Sequence, residues 1–203
     1  ASDVYKRQYI SILFKEVQIM GWIIFIIVIL LVIFVISIYN SLVTLRQRVK
    51  NAWSQIEVQL QRRFDLIPNL VETVKGYMGH ESEVLTKIAE LRTSWANAKT
   101  VTEKSELDTQ LSESLKTIMA VSESYPDLKA NQNFTELQQE LANTENKISY
   151  SRQFYNDTVT KYNTKLQLFP SNIIAGMFNF TTETLFEVDS AEARKNVKVD
   201  FNN

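Results

Sequence analysis

The stretch FTELQQELANTENKISYSRQFYNDTVTKYNTKL, residues 134–166, carries the clearest structural signal in the chain. Apolar or small side chains recur in it at steps of three and four residues, close to a heptad repeat, which places them on one face of an α-helix. This stripe consists of Phe134, Leu137, Leu141, Thr144, Ile148, Ser151, Tyr155, Val159, Tyr162 and Leu166. A helix with one apolar face needs partner helices to bury it, so the stretch predicts a coiled-coil-like helical bundle.

The segments upstream show the same periodicity. Stripes of this kind run through residues 42–78, including Val71, and through residues 84–98 and 107–118, which begin at Val84 and Leu107. Pro68 should kink or restart the first of these helices, with Asp65 as a cap, and Asn133 with Glu136 should form a capping box for the last helix. Four glycines and three prolines are too few for a chain of β-hairpins. The sequence therefore predicts an all-α fold: an antiparallel bundle of long helices over residues 40–180, preceded by one transmembrane helix.

The predicted membrane anchor comprises residues 20–39. Its apolar run GWIIFIIVILLVIFVISIY, residues 21–39, contains no charge and, at about 1.5 Å per residue, spans a hydrocarbon core of roughly 30 Å. Trp22 and Tyr39 lie near its two ends, where aromatic rings favour the lipid headgroups. A cleaved signal peptide is the alternative, but its apolar core would be shorter and followed by small residues. We expect residues 20–39 to contact the lipid bilayer.

The orientation of this anchor depends on the flanking basic residues. Met20 directly precedes the apolar run, and residues 1–19 are expected to be a non-native or disordered leader. If the chain starts at Met20, the basic residues near the anchor all lie after it, at Arg46, Arg48 and Lys50. This distribution predicts an outside N-terminus and a cytoplasmic bundle at the bacterial cell membrane. If the leader is native, Lys6, Arg7 and Lys15 cancel that bias. The tail, residues 181–203, is expected to be strand-like or disordered.

Composition excludes several classes of chemistry. The 22 basic and 23 acidic residues almost balance, so the sequence predicts no nucleic-acid partner. Without cysteine, and with His80 as the one histidine, it offers neither a thiolate nucleophile nor a zinc ligand set. His80 is interpreted as a surface residue at a helix junction. We therefore predict no catalytic residues, no metal site and no cofactor.

Two groups of polar residues are candidates for a functional role. Arg62, Asp65, Asn69 and Glu72 form a row on the first helix that faces away from the apolar stripe. This row is either a solvated outer face or a contact surface for another protein or another copy. On the last helix, Glu145 and Arg152 lie at or beside the apolar stripe, where a buried ion needs a partner on a facing helix. They are interpreted as a core polar cluster that fixes helix register, with a ligand or partner site as the alternative.

A short apolar segment follows the last long helix. The sequence FPSNIIAGMFNF, residues 169–180, places Ile173, Ile174, Met177 and Phe178 after Pro170 and resembles a short amphipathic helix. It either packs across the end of the bundle or enters the membrane interface beside the anchor.

Two sequence blocks carry a family resemblance. The blocks RRFDLIPNLVETVKGY, residues 62–77, and YPDLKANQNFTELQQELANTENKISYSRQFYN, residues 125–156, closely resemble the bacterial LemA family. The resemblance extends through residues 169–180 to the closing Val199-Asp200-Phe201. It implies an N-terminal membrane anchor, an outside N-terminus and a helical bundle, and it implies no established enzymatic activity.

These observations together favour a binding role over catalysis. The prediction is a non-enzymatic, membrane-tethered interaction or scaffold module, whose partner is a membrane protein, a cytoplasmic protein or another copy of the chain. The alternative is a membrane-attached sensor bundle that holds a ligand and signals through a partner.

Overall fold

The computed structural model describes residues 2–77 and 82–187, and all regular secondary structure in those ranges is α-helical. The helices are α1 (Ser2–Asp65), α2 (Ile67–Lys75), α3 (Ser82–Asn97), α4 (Val101–Ser122), α5 (Pro126–Lys129), α6 (Gln132–Gln167) and α7 (Ser171–Met177). The predicted all-α fold with long helices is confirmed. The chain forms two compact units. We call them the anchor unit (residues 1–46 and 164–181) and the bundle unit (residues 47–163 and 182–203).

The bundle unit buries the stripes that the sequence predicts. Fully buried side chains come from α1, α2, α3, α4 and α6: Ile56, Leu60, Phe64, Ile67, Leu70, Ile88, Leu111, Phe134, Ile148 and Tyr155. Several predicted stripe positions are half-buried, and in three places a neighbouring residue is the buried one. Leu70 and Leu85 are the buried residues where Val71 and Val84 were expected, and Leu107 is half-buried while its neighbour Asp108 is buried. In each case the adjacent residue fits the three- and four-residue spacing equally well.

Pro68 restarts the helix as predicted, but Asp65 does not cap the restart. Helix α1 ends at Asp65, and the residue in the capping position of α2 is Leu66, which makes no side-chain cap hydrogen bond. Pro68 lies in the first turn of α2, where an amide has no partner within the helix, so its missing donor costs nothing. The Asp65 carboxylate instead accepts a 2.8 Å hydrogen bond from the Gln61 amide.

The expected capping box at Asn133 and Glu136 is wrong by two residues. Helix α6 begins at Gln132, and the Asn131 side chain accepts a 3.1 Å hydrogen bond from the backbone amide of Phe134. A capping box forms instead at α4, where the Thr100 hydroxyl accepts from the Glu103 amide and the Glu103 carboxylate accepts from the Thr100 amide. Backbone hydrogen bonds from Lys99 and Thr100 lower the pKa of Glu103.

The anchor unit contains the apolar part of α1. That helix is long and apolar enough to cross a membrane, and no part of its apolar window is buried against the protein. Its large apolar side chains from Ile19 to Ile36 are between 42% and 62% exposed, apart from the half-buried Val35. Residues 2–19 form the start of α1, and the boundaries predicted for the leader, anchor, bundle and tail stay predictions.

Candidate interaction surface and buried charge cluster

A buried arginine joins three helices of the bundle unit. Arg63 of α1 is 3% exposed. Its Nη1 lies 2.7 Å from Asp108 Oδ1 of α4 and 2.7 Å from Glu145 Oε2 of α6. The same nitrogen donates a 2.9 Å hydrogen bond to the Ser112 hydroxyl. One cation thus lies between two carboxylates from different helices, and we call these three charged residues the Arg63 cluster.

Asp108 is the most strongly desolvated acid in this cluster. Burial is the largest influence on the pKa of Asp108 and raises it. The charge of Glu145 raises this pKa further, whereas the positive charges of Arg63 and Arg152 lower it. The Asp108 side chain is 4% exposed, whereas that of Glu145 is 43% exposed. A carboxylate removed from water depends on its paired cation, so Arg63 is the residue that makes ionised Asp108 tolerable.

The sequence analysis named Glu145 and Arg152 as a core polar cluster, whose role in fixing helix register stays a prediction. Glu145 pairs with Arg63 on a facing helix, and the half-buried Arg152 acts electrostatically on Asp108. The central pair, Arg63 and Asp108, was missed. Both residues occupy stripe spacing: Arg63 follows Leu60 by three residues, and Asp108 precedes Leu111 by three. A stripe identified from apolar residues alone omits the charged residues that lie on the same face of the helix.

The predicted polar row on the first helix is exposed at every position. Arg62, Asp65, Asn69 and Glu72 all face solvent, and Arg62 forms a 2.8 Å ion pair with Glu140 of α6. Asn69 and Glu72 line a surface groove of about 670 Å³ between α2 and the start of α6. The residues around it are Asn69, Glu72, Thr73, Gly76, Tyr77, Asn131, Asn133, Glu136, Leu137 and Glu140. We call this the acidic groove, because three carboxylates and no basic side chain are among those lining residues.

Residues 183–186 lie along α6 within the bundle unit, and they form neither helix nor strand. Asn163 donates to the Glu183 carbonyl (2.8 Å) and accepts from the Glu183 amide (2.9 Å). Asn156 makes the same pair of bonds to Phe186, at 3.0 and 2.8 Å. The two asparagines are seven residues apart on α6, about 10.5 Å. Residues 183 and 186 are three apart in an extended chain, about 10 Å. The spacings match, so α6 holds the backbone of this segment at two points.

Further contacts fix the same segment, which we call the clamped tail (residues 182–187). The Tyr155 hydroxyl donates a 2.8 Å hydrogen bond to the Thr184 carbonyl, and burial, followed by the charge of Glu183, raises the pKa of Tyr155 to about 12. Phe186 is 1% exposed, with its ring 6.1 Å from that of Trp53. The tail was expected to be strand-like or disordered. Residues 182–187 lack helix and strand but are ordered by side-chain clamps, and residues 188–203 lie outside the described ranges.

Potential metal ligands are scattered in the part of the chain that the structure describes. Within residues 2–77 and 82–187 no group of three or more His, Asp or Glu side chains is placed to hold a metal ion. His80, predicted to be a surface residue, lies outside those ranges.

The fold defines a class: an all-helical protein whose first helix is apolar and long enough to cross a bilayer, with a helical unit beyond it. The sequence model of the LemA family matches residues 52–201. The chain therefore belongs to the LemA family, as its sequence blocks indicated.

Two kinds of relative are similar to this chain. Protein LemA of Metamycoplasma hominis is 27% identical over 154 residues, which cover 75% of this chain and 70% of that protein. The magnetosome proteins MamQ 1 and MamQ 2 of Paramagnetospirillum magneticum are each 22% identical over 175 residues, covering 73% of this chain. The matched region is 64% of the length of each magnetosome protein, slightly less than two thirds.

Proposed function

We propose that this protein is a non-enzymatic, membrane-tethered interaction module. The observation that carries the proposal is that one chain combines an exposed apolar run long enough to cross a membrane with a helical unit that presents a polar groove. Tethering confines the bundle unit to the plane of the membrane and raises its effective concentration for partners there. The family and its named relatives give no enzyme name, which is consistent with this proposal.

The orientation that we propose places the N-terminus outside and the bundle unit in the cytoplasm. Arg46, Arg48 and Lys50 follow the apolar run closely, and basic residues favour the cytoplasmic side. Lys6, Arg7 and Lys15 on the other side of the run oppose this bias.

The acidic groove is the contact surface that we propose for the partner. It includes Asn69 and Glu72 from the predicted polar row. Glu140 already pairs with Arg62, and the other two carboxylates, Glu72 and Glu136, favour a segment that carries lysine or arginine. The partner is a membrane or cytoplasmic protein with such a segment, or a second copy of this chain. The sensor alternative would need a ligand held between the helices, and it stays a prediction.

Photo-crosslinking in living cells tests the groove. With a photo-reactive amino acid in place of Asn69, we expect one discrete adduct, whose mass shows whether the partner is a second copy. Charge reversal by Glu72→Lys with Glu136→Lys should reduce this adduct several-fold, because the groove then repels a basic segment. The matched control carries the same photo-reactive group in place of Lys116, an exposed residue of α4 outside the groove. Identical adducts from both positions, unaffected by the charge reversal, would contradict the proposed surface.

A further inference from the structure

The anchor unit exposes a second apolar surface, separate from the apolar run of α1. The large side chains of Leu168, Phe169, Ile173, Met177 and Phe178 are 53%, 79%, 53%, 68% and 51% exposed. We call these five residues the α7 apolar face. No charged residue occurs between Leu166 and Thr182. Several large exposed apolar side chains within eleven residues of sequence, with no charge among them, are typical of a surface that binds protein or membrane.

The opposite side of α7 is buried. Ser171, Ile174 and Ala175 are buried, and the single proton of the Ser171 hydroxyl is shared between the carbonyls of Lys165 and Leu168, at 2.6 and 2.8 Å. Burial therefore accounts for Ile174 and Ala175 and leaves the α7 apolar face uncovered, and the expected packing across the end of the bundle stays a prediction. The segment is two-sided, as an interfacial amphipathic helix is.

Contacts within the anchor unit place this face at the end of the apolar run. The ring of Tyr39, the last residue of that run, lies 4.8 Å from the ring of Phe178 and 5.7 Å from that of Phe180. The Arg46 guanidinium lies 5.0 Å above the Phe180 ring. Tyrosine at the end of a membrane span sits at headgroup level, and arginine just beyond it faces the lipid phosphates. The α7 apolar face therefore lies near the end of the apolar run, at the depth where the headgroups of the bilayer begin.

We infer that the α7 apolar face inserts into the headgroup and upper acyl region of the same bilayer that α1 crosses. The inference rests on the membrane anchoring proposed above. Lipid, rather than a protein, covers this face, because the face adjoins the end of the apolar run. Its residues also carry no charge with which a protein partner could form an ion pair. Burial of this face would hold α7 parallel to the membrane surface.

Site-specific fluorescence tests the inference in the full chain reconstituted in phospholipid nanodiscs. Because the chain has no cysteine, Met177→Cys gives a single thiol for an environment-sensitive dye, and Phe169→Cys gives a second position if the first variant folds poorly. The labelled positions should show blue-shifted emission and several-fold stronger quenching by lipids with a nitroxide near the headgroup than the same dye on Asn97→Cys. Emission that matches the Asn97→Cys label and ignores the nitroxide lipids would overturn the inference.

A third label separates this inference from the anchoring itself. Ile29→Cys places the dye on the apolar run, where nitroxides deep in the bilayer should quench it. Quenching at Ile29→Cys without any response at Met177→Cys would overturn the insertion of α7 and leave the anchor in place. No response at either position would overturn the anchoring as well.

Discussion

Replacing Arg63 with methionine is expected to lower the free energy of unfolding by about 3 to 5 kcal/mol, the usual cost of removing one partner from a buried ion pair. The variant leaves the Asp108 carboxylate buried without its cation. The matched control is Arg62→Met, one residue earlier, whose ion pair with Glu140 is half-exposed and should contribute about 0 to 1 kcal/mol. Urea denaturation in mild detergent, followed by circular dichroism, measures both losses.

Two further results distinguish a charge effect from a packing effect. The double variant Arg63→Met with Asp108→Leu should recover much of the loss, since it removes the unpaired charge along with its partner. Equal, small losses for Arg63→Met and Arg62→Met would contradict the assignment of Arg63 as the central cation of the cluster.

The Arg63→Met loss should also depend on pH. Burial already raises the pKa of Asp108 above its ordinary value, and Arg63 opposes that rise, so removal of Arg63 should raise the pKa further. A carboxyl whose pKa is higher in the folded than in the unfolded state binds more protons when folded, so its effect on stability becomes more favourable as pH falls. The loss caused by Arg63→Met should therefore be smaller in mildly acidic than in neutral solution. A loss that stays constant with pH would contradict this explanation.

The second large effect is expected at the clamped tail. Phe186→Ala removes a ring that is 1% exposed, and such truncations cost about 3 to 5 kcal/mol. Leu185→Ala, at a neighbouring side chain that is 37% exposed, is the matched control and should cost far less. Denaturation measures both losses, and the fluorescence of Trp53, whose ring contacts Phe186, reports whether the tail has left its site.

The asparagine clamps provide a separate test of the same feature. Asn156→Ala leaves the amide and carbonyl of Phe186 without partners and should cost about 1 to 3 kcal/mol, whereas Asn146→Ala, at an exposed position of α6, should be almost neutral. If Phe186→Ala and Asn156→Ala both left stability unchanged, the tail would not be held as described.

The sequence predicted the elements whose signal is local. The stripe from Phe134 to Leu166 recurs regularly enough to identify α6 and its buried face, and the uncharged run of residues 21–39 identifies the apolar helix without any tertiary information. The restart at Pro68 was also predictable, because proline acts through its own ring and missing amide. The caps were less predictable, since Asn131 and Asn133 are equally suitable residues and backbone geometry alone selects between them.

The features that the sequence did not predict depend on contacts between distant parts of the chain. The pairing of Arg63 with Asp108 joins residues 45 apart, and a charged residue within an apolar stripe gives no indication of which distant residue pairs with it. The clamped tail is a similar case, because Asn156 and Asn163 resemble ordinary exposed helix residues until an extended segment is placed beside them. The sequence analysis named the polar row of Arg62, Asp65, Asn69 and Glu72. The acidic groove could not be predicted in this way, because residues at the start of α6 form its other side.

Thiol labelling in intact bacterial cells tests the central claim most directly. The chain has no cysteine, so Asn97→Cys, at an exposed position of the bundle unit, gives one thiol for a membrane-impermeant maleimide. If the bundle unit is cytoplasmic and membrane-anchored, we expect the thiol to be labelled only after the cells are lysed. The protein should then be recovered in the membrane fraction. Labelling of intact cells, or recovery of the protein in the soluble fraction, would contradict this account.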